Sequence, residues 1–257
     1  MKGIFTETII EFIDRKQHWL FLLVTAIASA IIYFAVSDKL ELVKNEISSQ
    51  ASLLQAASSS LNNFVTVIVM LSVVSIMFLI PRISRKGRVE FYLSKPITRT
   101  KFFYGKVISL FAIYCTMILL CGMLVAGVLH YLKALTFSGS AYIVVIGLAS
   151  FLVWFSIISF TGFMTKSVSI SFAAFGSLWM MQLFLKHRSE WGIEQKFVQL
   201  ILDTFYYILP KTSEMSSISI QLATGGMTVS YLPIFTSLLL AGMLFYASMS
   251  AFGRRDF

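Results

Sequence analysis

The chain has 257 residues, 57% of them hydrophobic and only 13% charged, with a net charge of +9 and a mean hydropathy of +0.81. Soluble domains average about 45–50% apolar and about 25% charged residues, so a water-soluble globule of this size would lack the polar surface to cover its apolar content. That excludes an ordinary soluble domain, and the two cysteines, Cys115 and Cys121, share one apolar stretch and indicate no disulfide framework.

Residues 4–17 come first along the chain. Ile4, Phe5, Ile9, Phe12 and Ile13 recur at helical spacing, with Glu7, Glu11, Asp14 and Arg15 on the other face. This reads either as an amphipathic helix on the cytoplasmic membrane surface or as a plain extension of the span that follows. Apolar stretches then run at 19–36, 64–80, 107–129, 141–163, 168–185 and 231–252, and no Asp, Glu, Lys or Arg interrupts any of them. At about 1.5 Å of rise per residue, each comes close to crossing a hydrocarbon core of about 30 Å as a helix. Lipid offers a backbone no hydrogen bonds, and the stretches are too long for barrel strands, so helix is the form expected. The first stretch is longer than the roughly 7–15 apolar residues of a signal-peptide core and follows Glu7, Glu11 and Asp14, so a retained span is expected.

Between the first two stretches, 37–63 contains no Gly or Pro, and Leu40, Val43, Ile47, Leu54 and Leu61 keep a three-four spacing. The pattern predicts helical extensions of both spans, with a turn near Ser58–Asn63. The outer region 186–230 predicts two short helices. Ser189 can cap the first, whose apolar face uses Phe197, Leu200, Ile201, Phe205 and Ile208 before Pro210 stops it. The second runs from Thr212–Ser213 to Gly225–Gly226.

The expected fold class is therefore all-α: a polytopic membrane protein with six transmembrane helices, a cytoplasmic amphipathic helix leading into the first, and short outer helices between spans five and six. It forms a single transmembrane domain over 1–257. The side holding 1–18, 81–106, 164–167 and 253–257 carries 14 of the 21 basic residues in short segments. The positive-inside rule puts that side, and both termini, in the cytoplasm of a cell (inner or plasma) membrane. The positive charge is thus mostly topology, and no nucleic-acid partner is expected. His18, His130 and His187 are scattered, so no metal is expected, and no cofactor.

The segment 81–106, PRISRKGRVEFYLSKPITRTKFFYGK, is longer than a connector needs to be. Val89, Phe91, Tyr92, Leu93, Phe102, Phe103 and Tyr104 are interleaved with charges, Pro96 biases Lys95 away from helix, and Thr98 can cap a helix starting around Arg99. By itself the pattern fits equally a segment that docks on a protein and a basic loop resting on anionic lipid.

The run Gly87–Glu90, then Leu93–Ser94–Lys95–Pro96–Ile97–Thr98–Arg99, then Gly105–Lys106, resembles the cytoplasmic loop of ABC-2 type permeases, the membrane subunits of type V ABC transporters. The terminal Arg254–Arg255–Asp256 and the six-span layout are also similar to that family, closest in look to the nitrous-oxide-reductase maturation and gliding-motility permeases. One departure stands out: where the family often has acidic residues before this phrase, the chain has Arg82, Arg85, Lys86 and Arg88, and only Glu90 is acidic.

The resemblance implies a permease that pairs with a second copy or a sibling and couples to a separate cytoplasmic ABC ATPase subunit. It places that coupling at Glu90, Leu93, Lys95, Pro96, Thr98, Arg99 and Lys101. No Gly-rich Lys-Ser/Thr phosphate loop occurs in the chain, so ATP hydrolysis is expected in the partner and no catalytic residue here. The charge-free spans agree with an external energy source, because ion-driven carriers usually hold ionisable residues inside the membrane. The reading that competes from another class is a non-transporting membrane scaffold or regulatory anchor.

Overall fold

A computed structural model describes residues 2–44, 49–83, 99–186, 196–226 and 230–253. Among them there are nine helices and no strand: α1 (Lys2–Asp14), α2 (Gln17–Lys44), α3 (Gln50–Ile83), α4 (Arg99–Tyr131), α5 (Phe137–Thr165), α6 (Val168–Lys186), α7 (Lys196–Ile208), α8 (Thr212–Ala223) and α9 (Leu232–Gly253). Six of these, α2 to α6 and α9, are long and apolar enough to cross a membrane.

The turn expected near Ser58–Asn63 is not there. Helix α2 ends at Lys44 and α3 begins at Gln50, so Ser58–Asn63 lies inside a continuous helix. The polar run is tolerated because its side chains find partners without leaving the helix. Ser58 and Ser59 donate back to the carbonyls of Leu54 and Gln55 at 2.7 and 2.8 Å. Asn62 donates to Ser216 Oγ at 2.6 Å and accepts from Ser219 Oγ at 2.9 Å.

The two short outer helices are α7 and α8. Helix α7 stops before Pro210 but begins only at Lys196, and Ser189 lies outside the described residues. Phe197, Leu200, Phe205 and Ile208 are exposed along one side of α7, the arrangement a helix adopts at a membrane interface. Helix α8 ends in a left-handed Gly225, φ +84°, with Gly226 N–H donating to the Gln221 carbonyl at 2.8 Å.

Packing divides the described chain into two compact units. The first comprises 1–72, 105–151 and 216–230. In it α3 and α5 meet at Gly147, where a Cβ would overlap Val65, and α4 meets α5 at Gly122, where a Cβ would sit 3.0 Å from Val144. Small residues let backbones close up in this way, which is how helices gain packing energy when lipid competes for every apolar contact. The second unit comprises 73–104, 152–215 and 231–257. Its internal contacts include Trp154 edge-on to Phe175 (4.7 Å) and the approach of Gly162 to Ile80. Of the most apolar stretch of each span, 61% is buried in α3 and in α5 but only 17% in α6 and in α9. Few positions of α6 and α9 are fully buried, so both helices leave surface for lipid or another chain to cover.

Three helix ends turn on a lysine with positive φ: Lys16 (55°), Lys133 (55°) and Lys166 (54°). At Lys16 the chain makes its shortest connection from α1 into a span. Lys16 N–H bonds the Ile13 carbonyl at 2.8 Å, and its own carbonyl accepts from Trp19 N–H at 3.1 Å to start α2. A left-handed non-glycine residue costs roughly 1–2 kcal/mol, so the corner is maintained by the contacts on either side of it.

Candidate functional site: the junction of α1, α2 and α4

Of the residues assigned to coupling, Glu90, Leu93, Lys95, Pro96 and Thr98 lie outside the described residues. Arg99 opens α4, where the sequence expects a helix to start, and Lys101 is exposed in its first turn. The geometry that can be described lies one turn further along, at Gly105 and Lys106.

Gly105 sits where α4 packs closely against Ile4 of α1. A Cβ there would lie 3.2 and 3.3 Å from Ile4 Cδ1 and Cγ2, so any larger residue would push the buried Ile4 away. Lys106 follows immediately. Its side chain is only 4% exposed, and its Nζ sits 3.5 Å from Glu7 Oε1 and 3.6 Å from Glu11 Oε2. The other oxygen of Glu11 accepts from Arg15 at 2.7 Å. Two cations thus flank one carboxylate, and the second carboxylate balances the charge. These distances make Lys106 an ion-pair partner rather than a tight hydrogen-bond donor to the two glutamates.

The contacts beside the ion pairs are apolar and aromatic. Phe12 is buried and stands edge-on to Tyr114 of α4 (5.6 Å, 84°), and Phe21 of α2 lies 6.1 Å from the same ring. The Tyr114 hydroxyl donates to Gln17 Oε1 at 2.8 Å, at the start of α2. One tyrosine thereby fixes α4 to both helices beside it.

This corrects the expected division of α1 into faces. Glu7 and Glu11 belong to the packed side, together with Ile4, Thr8 and Phe12, while Phe5 and Ile13 are exposed. The reason is the buried Lys106: an ammonium removed from water needs carboxylates beside it, and that need outweighs the apolar pattern of a single helix. Thr8 accompanies them by bonding the Ile4 carbonyl at 2.7 Å. The sequence did carry a signal for the pair, since Glu7 and Glu11 stand one helical turn apart. Nothing in it indicated which lysine they meet.

With six spans of this length and composition, the protein is a multi-pass α-helical membrane protein. The chain matches no known protein-family model and no curated protein.

Proposed function

We propose that the chain is the membrane-spanning permease subunit of an ATP-driven transporter of the ABC-2 type, with both termini in the cytoplasm of the cell membrane. Two permeases, identical or sibling, form the translocation pathway, and a separate ATPase docks on the 81–106 segment. The observation that carries this reading is the phrase Leu93–Arg99 followed by Gly105–Lys106 at the head of the third span. The junction geometry supports it. A force applied at the start of α4 passes through Lys106 and Tyr114 to α1 and α2, so movement at the cytoplasmic end is not absorbed by a loose N-terminal helix.

The test is purification of the tagged chain from its native membrane, followed by substrate-stimulated ATP hydrolysis. A separate ATPase should co-purify with two permease copies. Glu90→Gln and Pro96→Gly should each leave insertion intact and lower co-purified ATPase or stimulated hydrolysis, because breaking a buried interfacial charge pair costs about 2–5 kcal/mol, against about 0–1 kcal/mol for an exposed one. If these variants couple normally and the triple change Arg85→Gln, Lys86→Gln, Arg88→Gln fails instead, the segment is a lipid-binding surface and the coupling assignment is wrong. Stable partners without any ATP-dependent flux would make the chain a scaffold.

A further inference from the structure

A small cavity lies in the second unit, between the end of α6 and the corner that joins α7 to α8. Its lining includes Gln182, Leu185, Tyr206, Pro210, Lys211 and Glu214. Tyr206, Glu214 and Lys211 in this lining are each held by a specific contact. Tyr206 O–H donates to the Glu214 carboxylate. Lys211 is buried with its Nζ over the rings of Tyr206 and Tyr207, at 4.2 and 4.6 Å, while its backbone N–H donates to Ser237 Oγ of α9 at 2.8 Å.

Gln182 is held at only one end of its amide. It is 7% exposed, and its Oε1 accepts from Thr212 Oγ1 at 2.7 Å. That bond orients the amide and leaves Nε2 buried with no acceptor among the described residues. A primary amide carries two N–H donors, and leaving a buried donor unsatisfied is strongly disfavoured. The cavity measures about 20 Å³, above the roughly 10–15 Å³ that one water needs, and although most of its surface is apolar, Gln182, Tyr206, Ser213 and Glu214 bring polar side chains to its lining. It is far below the few hundred Å³ of a site for an organic ligand.

We propose that this cavity is a binding site for one internal water, which accepts from Gln182 Nε2 and bonds the polar groups of the α7–α8 corner. Internal waters of this kind typically make about three hydrogen bonds, and this one ties a span to the two outer helices that follow it. The inference is independent of the transport reading, since it uses only the geometry of α6, α7 and α8.

An experimental density map of the full chain in a lipid nanodisc, at a resolution that shows ordered waters, tests it. The expected result is a peak about 2.7–3.2 Å from Gln182 Nε2, within reach of a second polar group in the lining. A Gln182→Leu variant that keeps the α6–α8 packing should lose the peak. An empty cavity in the wild-type map overturns the proposal. So does an amide turned the other way, with Nε2 toward Thr212 and Oε1 facing the cavity, because the orphan donor would then not exist. X-ray radiolytic labelling of the wild-type protein in oxygen-18 water gives a second reading. Oxidation at Leu185 and Pro210 should take up the bulk isotope more slowly than at exposed loop residues, and uptake at the bulk rate, or no oxidation, counts against a held water.

Discussion

Lys106 is where the chemistry of single residues bears most on how this protein works. A 4%-exposed ammonium is tolerable only beside its carboxylates, and those carboxylates differ in environment: Glu7 is 44% exposed and Glu11 only 23%. Glu7→Gln alone should therefore cost little, about 0–1 kcal/mol, because solvent screens that pair. Glu7→Gln with Glu11→Gln takes both α1 carboxylates away from the buried cation and should cost about 3–5 kcal/mol. Adding Lys106→Met to the double variant should recover most of the loss, since the buried charge itself is then gone. Thermal unfolding in detergent reads all three. A double variant as stable as the parent would show that Lys106 does not depend on α1. The same residues show what a sequence pattern misses. Gly105–Lys106 is visible in the sequence as part of a phrase, but the reason for its glycine is the Ile4 side chain, a residue from the far end of the unit's chain order.

At the scale of helices, close approach is written in glycines and hydroxyls rather than in large apolar side chains. Gly147 of α5 faces Val65 of α3, which is buried and, being β-branched, has little freedom to rotate away. Gly147→Ala should destabilise the protein by about 1–3 kcal/mol, the usual cost of overpacking. Val65→Ala in the same chain should restore part of it. Gly176→Ala in α6, where no heavy atom lies within 4 Å of the new Cβ, is the control and should be neutral. Equal effects at 147 and 176 would mean that helix propensity, not contact, sets the result. Helix α3 also shows why one boundary was misplaced. Ser58–Asn63 has turn composition, yet backbone carbonyls one turn earlier and the serines of α8 satisfy those groups inside a helix.

For the molecule as a whole, the proposed orientation makes a direct prediction. In a chain with Cys115 and Cys121 replaced, Gln50→Cys should react with a membrane-impermeant thiol reagent added outside intact cells. Glu90→Cys should react only after the membrane is opened. Labelling of position 90 from outside would invert the topology and remove the cytoplasmic docking surface.

The all-α class and the six helices long enough to span a bilayer were already determined by the sequence, because lipid imposes a length, a charge-free composition and a helical backbone that can be read along one dimension. Where α1 was expected, a helix forms, since a period of 3.6 residues is also local information. Only the tertiary structure decided which side of α1 packs, which lysine its glutamates hold, and which serines of α8 receive Asn62. Those outcomes depend on groups far apart in the chain meeting in a medium that cannot solvate them. Burial makes each unmet charge or donor expensive, so its partner is chosen by packing and not by spacing.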